Sequence, residues 1–433
     1  MARYRTHLCA AMLLLCGLAT PAWAVTRVVD QDGLASSTNC NATTAAYLSI
    51  GAAVAAAVAN DTILVCPGSG PYDEQLVIGK ALTVKGFALT NVVIRPTSVV
   101  ANTSSLYSGA PMAAIIVVAD TTATLTNLVI DGTLATPSGS DCSVPNVVGI
   151  FYRNASGTVS DSTVRNMKLA AGLEGCQAGL GIFAQSGSGG GSDVTLTGVD
   201  VHDYQKNGIV GNEVGTLITV NNSYVRGDPA SNASIQNGIQ IGFGATGVLD
   251  GNRIVDQIYE PCTASGGCGS GSSYGILIFD AADDVIVTNN TITNTQGGIF
   301  VGGGIIQSGS NKSDVSQNAI SGTRVFDAVF IFGDGHTIRN NTITNTDRSG
   351  VFLYGSGNTV QSNRIQEAAV GVWDYFGTGN TYPLTGNRKN VPINVEQNTM
   401  SGVSAASARA TSLGKSIGPA KTTSNPTPTP VRF

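Results

Sequence analysis

The chain has 433 residues, 54 of them glycine, and only 12% are charged, about half the share of an ordinary globular domain. Its formal net charge is −5 and no run of Lys or Arg appears, which argues against nucleic acid as a partner. Length alone would suggest roughly two or three domains, but an internal repeat overrides that expectation, because a solenoid grows without a single closed core.

Residues 1–24 read as a secretory signal peptide. Arg3 and Arg5 precede an apolar run from Leu8 to Thr20, and Ala22-Trp23-Ala24 supplies the cleavage pattern. A secreted or periplasmic protein is therefore expected. Taking Arg3 and Arg5 from the 23 basic residues leaves 21 against 28 acidic, a net −7. No later segment approaches the roughly 20 apolar residues of a membrane span, so no transmembrane segment is expected. Beyond the signal stand Cys40, Cys66, Cys142, Cys176, Cys262 and Cys268. In an oxidising compartment these are expected to form three sequential disulfides. Cys142 and Cys176 precede equivalent glycines of adjacent repeats, Cys262 and Cys268 share one Gly/Ser-rich insertion, and Cys40 is left with Cys66.

From about residue 47 to residue 60, LSIGAAVAAAVAN is the one good helical run and suits a cap on an exposed first coil. Three short strands follow in DTILVCPGSGPYDEQLVIGKALTVKGF. The repeat then takes over. Val159-x-x-Ser162-x-Val164 and Val220-x-x-Ser223-x-Val225 lead to the same frame carrying Asn252, Asn290, Asn318, Asn341 and Asn363. Each unit is partnered by a Gly-Ile or Gly-Val pair, from Gly149-Ile150 to Gly371-Val372. Like strands recurring once per circuit must stack in parallel, about 4.8 Å apart. The fold class predicted for residues 25–400 is therefore all-β, a single-stranded parallel β-helix of about 10–12 coils. The five asparagines should form a structural ladder at one left-handed bend, their side-chain amides bonding up the stack. Residues 401–433, rich in Ala, Ser, Thr and Pro, read as a disordered tail.

Alternation along the Gly-Ile strands turns every second residue outward. One outward column contains Phe300, Phe330, Phe352 and Trp373, and a second contains Tyr354 and Tyr375. Rings at one per coil suit the apolar faces of an extended glycan, so these six are the expected substrate-binding residues and an extracellular polysaccharide the expected partner. Charged residues flank the ladder. Asp327, Asp347, Arg348, Asp280 and His336 are the catalytic candidates, as an acid and base pair for hydrolysis or as a lyase site with calcium held by aspartates. The Cys-bearing insertion between Asn252 and Gly275 lies beside this strand, where a specificity loop would sit. The alternative is a non-catalytic protein that forms an oligomer through the aromatic face. A second candidate patch, Asp200-Val201-His202-Asp203 near Lys206 and Glu213, reads as a surface-exposed histidine among charged neighbours.

The N-terminal helix followed by DTILVCPGSGPYDEQLVIGKALTVKGF, and then NNTITNTQGGIFV and NNTITNTDRSGVFLY, resembles the right-handed parallel β-helix proteins of the pectin-lyase-like superfamily. The closest group is the one with NosD-like and carbohydrate-binding β-helix repeats. That resemblance spans residues 26–400 and implies a right-handed helix; for function it implies only a wide choice. The hydrolase pattern is broken, since GDGH at Gly333–His336 lacks a following glycine, and Val329 stands where an esterase would place Asp before Phe330. A copper role would need clustered His or Met. Beyond the signal the chain has only His202 and His336, with Met112, Met167 and Met400 scattered, which leaves a copper-related periplasmic role a remote third reading.

Overall fold

A computed structural model describes residues 24–87, 92–228, 234–260, 272–303, 312–382 and the backbone of 393–397, with positions 430 and 432. The expected signal up to residue 23, the cysteines at 262 and 268, Met400 and most of the expected tail lie outside the described residues.

The β-branched segments form parallel strands that wind three faces around a continuous apolar core. Along the first face Ile116, Ile150, Ile182, Ile209, Ile239, Ile276, Ile299, Val329, Val351 and Val372 lie in register on successive coils. The second face is a 12-stranded sheet from Thr26–Val29 to Thr359–Gln361, in keeping with the expected number of coils. On the third face the inward column runs from Ile130 through Val164, Val201, Val225, Ile254, Ile292, Ile320 and Ile343 to Ile365. Every residue of both columns is buried. Such a stack has no closing strand, so each coil is held only by its two neighbours, through backbone bonds and apolar contact.

The glycine of the Gly-Ile pair is required by this packing. A Cβ on Gly149 would stand 2.4 Å from a methyl of Val164, and one on Gly238 would stand 2.7 Å from Ile254. The corner between the third and first faces is thus filled by the branched side chain of the same coil, and only a hydrogen fits beside it.

The asparagine ladder is present. Nδ2 of Asn252 donates to Oδ1 of Asn290 at 2.9 Å, and the same bond links Asn290 to Asn318, Asn318 to Asn341 and Asn341 to Asn363 at 3.0, 3.0 and 2.8 Å. Each Oδ1 above Asn252 also accepts the backbone N–H of the asparagine in the preceding coil. One detail differs from expectation. The left-handed residue is the one before each ladder asparagine, namely Gly251, Asn289, Gln317, Asn340 and Ser362, with φ between 56° and 68°. The bend sits one residue earlier, which turns the ladder side chain inward.

The cap helix is shorter than its sequence run, covering Ile50–Ala56, because Ser49 caps it through Ala52 N and Glu74 takes up the N–H groups of Ile50 and Gly51 at 2.8 and 2.6 Å. Two of the three expected disulfides are formed, Cys40–Cys66 and Cys142–Cys176, with Cα atoms 5.7 and 5.4 Å apart. No helix among the described residues is long and apolar enough to cross a membrane.

Candidate functional site on the first face

The outward column of the first face is in register as alternation requires: Val117, Phe151, Phe183, Val210, Gln240, Leu277, Phe300, Phe330, Phe352 and Trp373. Its rings touch from coil to coil. Phe300–Phe330, Phe330–Phe352 and Phe352–Trp373 have centroids 5.2, 4.8 and 5.4 Å apart in edge-on contact, a favoured geometry for aromatic pairs.

Two expectations are corrected here. The column faces away from the β-helix core but is not open to solvent: Phe300, Phe330, Phe352 and Trp373 are only 2, 5, 1 and 7% exposed, and with Tyr274 and Leu277 they form a second apolar core outside the coil. The expected second column also shifts. A register irregularity after Leu353 sets Tyr354 opposite Phe376 rather than Tyr375. Tyr354 and Tyr375 are half-buried, and Tyr375 still stacks on Phe352 at 5.8 Å and on Tyr354 at 6.0 Å.

The charged candidates divide into two groups. Asp327 and Arg348 come together at the edge of the aromatic cluster. Asp327 ends the turn entering the strand Val329–Phe332 and is fully buried. Its Oδ1 accepts from the backbone N and the hydroxyl of Ser349, whereas Oδ2 lies 3.5 Å from Nη1 of Arg348 and has no hydrogen-bond partner among the described residues. Burial pushes the Asp327 carboxyl above its ordinary range, with Arg348 and Ser349 pulling the other way. Arg348 sits in a second register irregularity, between Thr346 and Ser349. Such an extra residue re-aims a side chain, and the guanidinium lies over the rings of Phe352 and Trp373, 5.1 Å from each centroid. Trp373 Nε1 is buried and likewise finds no partner among the described residues. Asp347 is exposed, and its Oδ2 is 3.3 Å from the backbone N of Val325.

Asp280 and His336 line a small pocket with Ile278, Phe332 and Asp334 at the opposite corner of the same face. His336 is not a free base. Its Nδ1 accepts from the backbone N of Ser313 at 3.2 Å, and its own N donates to Oδ1 of Asn358, which in turn is followed by Asn380. His336 therefore fills a place in a second, shorter ladder that asparagine fills on the next coils. Burial lowers its pKa to about 4, against a smaller upward pull from Asp334.

The second polar patch is self-paired: His202 Nδ1 lies 2.5 Å from Asp203, and Arg226 approaches the same carboxylate at 3.8 Å. Among the described residues one group of three metal-type donors comes together, Asp30 with Cys40 and Cys66, and both sulfurs are spent in the disulfide. The calcium expected for a lyase thus has no cluster of three carboxylates to hold it among the described residues.

The family model described as "Right handed beta helix region" matches residues 148–327 and 262–408. This chain belongs to the right-handed β-helix family. The fold likeness extends to solved structures. A GH136 lacto-N-biosidase from Eubacterium ramulus aligns with 86% of this chain and 67% of its own at 11% identity, TM-score 0.52. The Dettilon tailspike protein aligns with 85% and 68% at 14% identity, TM-score 0.49, and XylC, solved with xylose, with 86% and 86% at 11% identity, TM-score 0.49. No curated protein matches the sequence.

Two residues of this right-handed β-helix escaped the sequence reading. Tyr274 points outward into the aromatic cluster and close to Asp327, whose charge adds to burial in raising the tyrosine hydroxyl. Strict alternation from Ile276 would have turned it inward, but the intervening Gly275 occupies the corner. Ser349 holds Asp327 from the next coil; the only available signal was its place beside Arg348.

Proposed function

We propose that this chain is an exported β-helix that binds a uronate-bearing polysaccharide along its first face, with Arg348 as the group that reads the sugar carboxylate. One observation carries the reading. The guanidinium is held over the rings of Phe352 and Trp373 while its one ion pair among the described residues is long, 3.5 Å, to a carboxyl that burial drives toward its neutral form. Its donors and charge are therefore largely unspent, and a planar fork is the natural partner of a carboxylate. Asp327 Oδ2 and Trp373 Nε1 add an acceptor or acid and a donor within the same cluster. If the bound glycan is also cleaved, Asp327 is the acid and Tyr274 its neighbour.

The test is retention of polygalacturonate, alginate and a neutral glucan by the full chain and by Arg348→Met, with new reducing ends and the ultraviolet absorbance of unsaturated uronates followed in parallel. Loss of one charge-assisted contact should weaken the acidic polymers about 10-fold or more and leave the neutral one unchanged. Equal retention by both proteins would defeat the reading. Cleavage that disappears in Asp327→Asn would make the chain an enzyme. The second reading, an interaction surface for protein, is favoured by the burial of the aromatic column and predicts a stable oligomer with no glycan retention.

A further inference from the structure

On three successive coils the residue leaving the first face is Glu213, Phe243 and Asp280, following the registered residues Asn212, Gly242 and Phe279. All three have left-handed backbones, with φ of 76°, 56° and 50°. Aspartate tolerates that conformation, but a ring-bearing residue rarely adopts it, and an outlier of this kind is a reason to look for a binding role. The corner so built presents a ring between two carboxylates.

Arg432, from the tail, is seated there. Its Nε and Nη2 donate to the two oxygens of Glu213 at 3.0 and 3.0 Å, the paired geometry of a guanidinium on a carboxylate. Its central carbon lies 3.7 Å from the centroid of Tyr107 and 4.6 Å from that of Phe243, so the guanidinium is in contact with two rings. Tyr107 is brought in by a loop tied to the same face: Leu106 N donates to Gln185 Oε1 at 2.8 Å, and Tyr107 N to Ser105 Oγ at 3.1 Å. The bond to Glu213 raises the pKa of Arg432, with Asp280 adding to the effect. In TTSNPTPTPVRF, residues 422–433, Arg432 is the one charged residue, and the alternating prolines lower the entropy lost on ordering the segment.

We propose that Tyr107, Glu213 and Phe243 form a receptor for an arginine side chain in a proline-rich peptide, and that the occupant is this chain's own tail, latched through Arg432. The site is separate from Arg348, and it can be tested without any polysaccharide.

The probe is the peptide PTPTPVRF, residues 426–433, titrated calorimetrically into the full chain and into Arg432→Ala. The vacated cage of R432A should bind it at one saturable site, while the unaltered chain should give no heat of binding. Replacing the arginine of the peptide by alanine, or adding Glu213→Gln or the loop variant Tyr107→Ala to R432A, should weaken binding about 10-fold or more. Absence of saturable binding to R432A, or binding indifferent to both E213Q and Y107A, would overturn the receptor. Equal binding to the unaltered chain would overturn the latch. A dimer of the unaltered chain that R432A cannot form would place the tail on a second copy and overturn the own-chain assignment.

Discussion

Asn341 offers the sharpest test of what holds the coils together. Its Oδ1 receives the backbone N–H of Asn318 at 2.9 Å and Nδ2 of the same residue at 3.0 Å; its Nδ2 donates to Val315 O at 2.9 Å and to Asn363 Oδ1 at 2.8 Å. Alanine at this position removes all four bonds. Asn363 Oδ1 keeps the backbone N–H of Asn341, and Asn318 Nδ2 keeps Val287 O. Left without partners in a site only 1% exposed are the Asn318 N–H and one Asn318 amide proton, while the Val315 carbonyl keeps its place in the strand ladder. An orphaned buried polar group costs about 1–3 kcal/mol, so Asn341→Ala should lose roughly 3–5 kcal/mol. Serine should lose about half as much, because Ser223 occupies the same position and its Oγ still accepts a backbone N–H, from Val199 at 3.2 Å. Urea unfolding followed by far-ultraviolet circular dichroism measures both, provided the slope against denaturant is unchanged. A loss below about 1 kcal/mol for alanine, or a serine variant no better than alanine, would refute the ladder as a source of stability.

The second ladder makes His336 a pH-sensitive rung. Its folded pKa of about 4 lies below the ordinary histidine value of 6.5, so its contribution is fully present above pH 6.5 and is lost as pH falls through 4, by roughly 3 kcal/mol in all. His336→Asn should keep the Ser313 contact, as Asn358 does on the next coil, and flatten the acid limb of the stability curve; a limb of unchanged steepness would rule this out. Lys206 is fully buried with its Nζ on Ile235 O at 2.7 Å, and burial lowers its pKa to about 7 from 10.5. Here stability is present above pH 10.5 and falls with pH down through 7, so Lys206→Met should raise stability at pH 7 by about 3 kcal/mol after losing one hydrogen bond, with equal denaturation midpoints as the contrary result. Cys142→Ser with Cys176→Ser opens a link spanning 34 residues and should cost about 3–4 kcal/mol; a midpoint equal to that of the parent protein would mean that the bridge constrains nothing.

The repeat made the fold legible, because the same alternation and the same asparagine recur on coil after coil. Register, ladder, inward columns and the Cys142–Cys176 bridge all follow from that single period. Exposure was not legible. Whether Phe352 meets solvent depends on what packs over it from elsewhere in the chain, and alternation fixes only the direction in which it points. His336 misled for a related reason. Among Asp334, Asp280 and a glycine-rich turn it reads as a catalytic base, and only Ser313 and Asn358, 23 and 22 residues away, show that its Nδ1 does the work of an asparagine carbonyl.

The places where the repeat breaks are where chemistry collects. Ala328 replaces the glycine of the corner pair, and Asp327 beside it is buried where the earlier coils carry Asn207 and Asn237. One coil on, the register slips between Thr346 and Ser349 and turns Arg348 over two rings. The ladder asparagines close their own valences and so have nothing to offer a ligand. Asp327 Oδ2 and Trp373 Nε1 do not close theirs among the described residues. Regular coils also leave single buried atoms without a partner among the described residues, such as Asn146 Nδ2 and Asn207 Oδ1, but the two slips, between Thr346 and Ser349 and between Leu353 and Tyr354, fall in one strand pairing and flank Phe352, so that the re-aimed side chains gather beside one ring.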